Sequence, residues 1–180
     1  MELEHTDSKY QNYIWDTQAL NLLAKDVKAI SMCQDAINYG HRYYITQVQT
    51  RELIGIPDRS MKYTDSSAWG KSENNTLEVL ENLGFRRLSC VALGYLNFWI
   101  LDGSMRLLES CGPRVDMFND IYNGNNHHKR DATIAEATIY HNCILITNDK
   151  RLRNKINKHF PERAITYDYY LENCGAILIG

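Results

Sequence analysis

With 180 residues and a hydrophobic share of 44%, the chain is long enough for one packed domain and too apolar to be a disordered segment. Its 20 Lys and Arg against 22 Asp and Glu leave a formal charge of -2, which excludes the overall basic excess of a dedicated DNA-binding domain. Five dispersed cysteines (Cys33, Cys90, Cys111, Cys143, Cys174) form no CxxC pair and point to free thiols in a reducing, cytoplasmic setting. The polar start MELEHTDSKYQNY is no signal peptide, and no apolar run approaches the ~20 residues of a membrane span.

In chain order, QNYIW at 11–15 reads as a first strand ending on Asp16. From Thr17 to Gly40 the apolar residues Leu20, Leu23, Val27 and Ile30 keep helical spacing, so a helix is expected, with Asp16 or Thr17 as its N-cap. RYYIT at 42–46 reads as a second strand, followed by a short helix carrying Val48, Glu52 and Leu53. Residues 55–75 have neither period and are rich in Gly, Ser, Asp and Pro, which predicts a loop insertion. TLEVLENLGF returns to helix, with Gly84 at its end. In the next stretch the pair Asp102-Gly103 is either a hairpin turn or a helix start. Pro113 opens a helix that Gly124 closes, NNHHK is a polar turn, and RDATIAEATIYHN is helical. CILIT at 143–147 has the continuous apolar character of a central parallel strand. DKRLRNKINKHF is a basic helix that Pro161 breaks, and AITY and DYYLEN give a last strand and helix.

Alternating strands and helices imply a mostly parallel sheet in a three-layer α/β/α domain spanning 1–180. In such sheets a site lies outside the carboxyl ends of the strands. Asp16 directly follows the first strand and Asp149 follows the CILIT strand, so two carboxylates land there independently. Singly, each has an ordinary explanation: Asp16 and Asp149 as helix caps, Asp131 as a helix-start acid, Glu52 as a surface helix residue.

Three segments, YIWDTQALNLL, ITQVQTRELIG and KRDATIAEATIYHNCILITNDKRL, together resemble the acidic motifs of PIN-domain nucleases over most of residues 11–172. The resemblance implies a PIN-like fold and hydrolysis of RNA phosphodiester bonds with Mg²⁺ or Mn²⁺. Asp16, Glu52, Asp131 and Asp149 would be the catalytic, metal-holding acids, with Thr147 and Thr17 fixing a carboxylate or a water. It also implies kinship with the endoribonuclease toxins of bacterial toxin–antitoxin pairs, hence a small antitoxin partner and a homodimer. The chain departs from the pattern at Gln18, where Ser or Asn is common, and at Glu136, where a small apolar residue is usual. Glu136 follows Asp131 by five residues, roughly 140° around the helix, and is expected at the surface or in a salt bridge. The alternative from another class is a catalytically silent PIN-like module that binds RNA or protein. A haloacid-dehalogenase-type phosphotransferase would want a second Asp at position 18, which is Gln.

The physical grounds for a cation stand beside the resemblance. Hard divalent ions take oxygen ligands, and several carboxylates in one cleft repel each other unless a cation intervenes. For RNA, Arg130, Lys150, Arg151 and Lys155 flank the proposed acids, and Arg151, Lys155 and Lys158 share one helix face as a basic stripe. The ordinary explanation of that stripe is a solvated helix face. The loop residues Arg59, Lys62, Tyr63, Trp69 and Lys71 either stack on nucleotides or pack the loop down. His127 and His128 have no further ligands at metal spacing.

Overall fold

The computed structural model describes residues 11–53, 73–88 and 112–177. Five parallel strands form one sheet in the order β3-β2-β1-β4-β5: β1 (Asn12–Trp15), β2 (Arg42–Thr46), β3 (Arg86–Leu88), β4 (Ile144–Ile146) and β5 (Ala164–Ile165). Around it lie α1 (Thr17–Leu23), α2 (Val27–Tyr39), α3 (Gln47–Leu53), α4 (Glu73–Asn82), α5 (Pro113–Tyr122), α6 (Lys129–Tyr140), α7 (Lys150–His159) and α8 (Tyr167–Ile177). The expected three-layer α/β/α architecture is present, and every strand pairing among the described residues is parallel.

Because strand side chains alternate between faces, β1 sends Tyr13 and Trp15 to one layer and Ile14 to the other. The first layer gathers Leu20 and Leu23 of α1, Cys33 of α2, Leu80 of α4 and Tyr170 of α8 around Trp15. The rings around Trp15 meet it edge to face, Tyr170 at 4.9 Å between centroids and Tyr43 at 5.9 Å. The opposite layer is mainly aliphatic, with Met117 and Ile121 of α5, Ala132 and Ala135 of α6 and Leu152 and Ile156 of α7 over Ile14 and Leu145, and with Phe118 as its buried ring. Small alanines let α6 lie close to the sheet and to α5.

Three expectations need correction. The helix read across 17–40 is two helices, because the Asp26 side chain accepts a hydrogen bond from the Ala29 amide (3.0 Å) and starts α2 afresh. The loop read over 55–75 ends earlier, since α4 already begins at Glu73; positions 55–72, with Arg59, Lys62, Tyr63, Trp69 and Lys71, lie outside the described residues. The Asp102-Gly103 turn lies outside them too. Gly84 does end its helix, in a left-handed conformation (φ 74) with the Phe85 amide bonded back to the Leu80 carbonyl.

Glu136 is the third correction. It is not at the surface but fully buried (0% exposed), facing Arg114 of α5 with Nε 3.4 Å from Oε1. The salt-bridge half of the expectation stands, and Arg114 also lies over the Tyr140 ring at 5.0 Å. Burial pushes the Glu136 carboxyl up to about 7, against the pull of Arg114. A raised carboxyl keeps its proton in the folded state while the unfolded chain releases it, so stability falls as pH rises from about 4.5 to about 7. Urea denaturation of Glu136→Gln and wild type is therefore expected to agree most closely near pH 4 and to diverge by on the order of 2 kcal/mol in favour of the variant near pH 8.

Candidate metal centre

The chain leaves β1 toward β2 on one side of the sheet, while β4 pairs with β1 on the other. A crevice for ligands opens at the carboxyl ends of two strands that diverge in this way. Asp16 and the segment Thr147-Asn148-Asp149 both emerge there. The Asp16 amide donates to the Ile146 carbonyl (2.9 Å), continuing the β1–β4 ladder one rung past the strand and fixing Asp16 level with Thr147.

Asp16 occupies the N-cap position of α1, yet its side chain makes no capping bond. Its Oδ2 instead accepts from the Thr147 hydroxyl at 2.9 Å. The same hydroxyl oxygen accepts from the Asp149 amide at 3.1 Å. A single threonine thus joins the two acids, one through its carboxylate and one through its backbone. Asp149 does cap its helix: Oδ1 accepts from the Leu152 amide at 2.9 Å. Asn148 turns the other way, and its side chain accepts from the Tyr167 amide (3.1 Å) at the start of α8.

Glu52 comes to the site through α3, and a residue passed over in the sequence explains how. Gln49 is fully buried, accepts from the Thr46 amide (2.7 Å) and donates to the Trp15 carbonyl. Its amide therefore satisfies backbone groups at the ends of both β1 and β2 and pins α3 across them. Glu52, three residues on, receives the Thr17 hydroxyl on Oε2 and Arg130 on Oε1 at 3.0 Å. Asp131, in the first turn of α6, receives Arg151 of α7 at 2.6 Å. A polar residue buried at a strand end was the available signal for Gln49, but sequence alone does not distinguish it from an exposed helical glutamine.

The charges of the acids are felt among one another. Burial raises the Asp16 carboxyl to about 6; the Thr147 hydroxyl and the Thr17 amide oppose that, and the charges of Asp131 and Glu52 add to it. Asp131 is also raised, first by burial, with Arg151 opposing and Asp149 and Glu52 adding. The four acids thus share one field at one end of the sheet, although among the described residues no three potential ligands lie close enough to hold an ion as they stand. Two are turned onto arginines. The donor set itself is all oxygen, four carboxylates and two hydroxyls, which fits a hard divalent cation.

The basic residues are less free than a solvated stripe would be. Arg130 and Arg151 hold the acids just described. Lys155 reaches both the carbonyl and the carboxylate of Asp120 on α5 (3.2 Å to Oδ1), where Lys158 (2.9 Å) and His159 (3.1 Å) also converge. These partners hold the Asp120 carboxyl far below the ordinary range. Lys150 is exposed. Beside this stripe the His128 imidazole is lowered, by burial and then by the charges of Arg151 and Lys155.

No family model and no curated protein matches the chain. Among the described residues no helix is long and apolar enough to cross a membrane. The geometry at the strand ends therefore carries the functional argument.

A carboxyl raised from 3.8 to about 6 costs folded stability as pH rises through that window, because the unfolded chain ionises first. Asp16→Asn is expected to stabilise the metal-free protein by on the order of 2 kcal/mol near pH 7.5 and to have little effect near pH 4, by thermal or urea unfolding in chelator.

Proposed function

We propose that the protein is a metal-dependent endoribonuclease of PIN type, with its centre on Asp16, Glu52, Asp131 and Asp149. The observation that carries this reading is the Thr147 hydroxyl, which joins Asp16 to the Asp149 backbone at the switch point of the sheet. The groups that stabilise the Asp16 charge are neutral, and its acidic neighbours oppose it. Such a carboxylate gains most from a cation. Asp16 and Asp149 would be nearest a Mg²⁺ or Mn²⁺ ion, with Glu52 and Asp131 holding its waters. When bound, a metal of this kind lowers the pKa of a water to give the nucleophile and stabilises charge on a phosphate.

The chain's own residues supply orientation. Thr147 keeps one oxygen of Asp16 fixed, the α7 amide keeps one oxygen of Asp149 fixed, and Thr17 anchors Glu52. Arg130 and Arg151 touch two of the acids, Lys150 is exposed next to Asp149 in sequence, and Lys155 sits on Asp120; these are the bases that would meet the phosphates of a single strand. RNA as the substrate, and a role as the toxin of a toxin–antitoxin pair with an antitoxin partner, rest on the sequence resemblance.

A second reading, a silent binding module, is favoured by one observation: Arg130 and Arg151 already neutralise Glu52 and Asp131. Cleavage decides between the two. Single-stranded RNA incubated with Mn²⁺ is expected to be cut by wild type, and the rate to fall at least about a hundredfold in Asp16→Asn and Asp149→Asn. Equal cleavage by all three proteins, or none by wild type, would sink the enzyme.

A further inference from the structure

The four acids fall into two classes by what holds them. Asp16 and Asp149 accept from neutral donors, the Thr147 hydroxyl and the Leu152 amide. Glu52 and Asp131 carry guanidinium groups, Arg130 at 3.0 Å and Arg151 at 2.6 Å. Both arginines belong to the site's own motifs, Arg130 beside Asp131 and Arg151 two residues past Asp149. Each reaches to another helix, so that α3, α6 and α7 are joined in series by Glu52–Arg130 and Asp131–Arg151.

Both arginine side chains keep an open side toward solvent, 21% and 38% exposed. The carboxylates they cover are less exposed, 16% and 30%, so an arginine leaves at low cost only when a cation takes its place. Glu52 would keep its place when Arg130 leaves, because the Thr17 hydroxyl holds its other oxygen. A divalent ion and a guanidinium compete for the same carboxylate oxygens and repel each other. A phosphodiester, by contrast, offers a guanidinium two acceptor oxygens in the fork geometry that suits it.

We infer that Arg130 and Arg151 are exchangeable counter-ions of Glu52 and Asp131, displaced onto the phosphates of a nucleic-acid strand, so that divalent cation and strand bind with positive linkage. This rests on the metal-centre reading above and adds its regulation. Without a strand the arginines occupy two of the acids and the ion binds weakly. With one, the arginines move to phosphate and two carboxylates become available at once. By reciprocity, the cation also tightens the strand.

The probe is Mn²⁺ itself, followed on the full chain by loss of the free-ion electron paramagnetic resonance signal. Titrations are run with and without a short single-stranded 2′-O-methyl oligoribonucleotide, checked for integrity afterwards. In wild type the oligonucleotide is expected to tighten Mn²⁺ about tenfold. R130Q/R151Q is expected to bind Mn²⁺ alone about tenfold more tightly than wild type and to gain no more than about twofold from the oligonucleotide. K25Q/K28Q, which removes the same two charges from exposed residues outside the site's motifs, is expected to shift Mn²⁺ affinity by no more than about twofold.

Wild-type affinity that the oligonucleotide leaves unchanged overturns the inference, and needs no variant to do so. An R130Q/R151Q protein that is folded by circular dichroism yet binds Mn²⁺ no better than K25Q/K28Q overturns it as well. If Asp16→Asn abolishes binding in either case, the metal centre stands and only the role of the arginines falls. If no form binds Mn²⁺ with or without the strand, the metal centre itself is wrong.

Discussion

Thr147 donates a hydrogen bond to the Asp16 carboxylate and accepts one from the Asp149 amide, and the rest of this end of the sheet is arranged about those two contacts. They require β1 and β4 to be neighbours in the observed register, with Trp15 opposite Ile146. They also require the chain to turn into α7 at once after β4, so that the Asp149 amide faces back toward the threonine while its carboxylate caps the helix. A one-residue slip between the strands would send Thr147 to the other level and separate the acids. The aromatic layer around Trp15 and the aliphatic layer over Leu145 hold that register from opposite faces.

Much of this was visible in the residue string. The strands QNYIW, RYYIT and CILIT, and the positions of Asp16 and Asp149 at strand ends, follow from apolar runs and their boundaries, which are local properties. The break at Asp26 was missed because the apolar spacing of Leu20, Leu23, Val27 and Ile30 runs through it, although an Asp three residues before Ala29 is an N-cap signal. What the sequence could not disclose is which charge meets which. Arg130, Arg151 and Lys155 look alike as members of a basic stretch, and only packing decides that they face Glu52, Asp131 and Asp120. Glu136 is the same lesson inverted. A carboxylate in an alanine-rich helix reads as a solvent-facing group, and its burial depends on Arg114, which comes from another helix.

The domain tolerates several charges out of bulk water, and it handles them in distinct ways. Arg114 offsets Glu136 only in part, between α5 and α6. Asp120 takes three basic partners and fastens α7 to α5. At the crevice the compensation is incomplete: Asp16 is held by dipoles alone among its stabilising groups and sits with its affinity for a proton raised. Glu136 is raised as well, against its arginine, so what sets Asp16 apart is its place at the strand ends, where the charges of Asp131 and Glu52 add to its burial. Both raised carboxyls cost folding stability once the pH exceeds their unfolded range.

The Thr147–Asp16 bond spans 131 residues of sequence, with β1 and β4 supplying its ends. During synthesis β1, α1, α2 and β2 emerge long before β4, and β1 must wait with one edge unpaired until nearly the whole domain has been made. Closing so long a loop places the centre among the late, non-local contacts of folding. An unfinished or truncated chain therefore carries Asp16 and Glu52 without the strand that completes them, and whatever chemistry the crevice performs is withheld until the last third of the chain has folded onto the first.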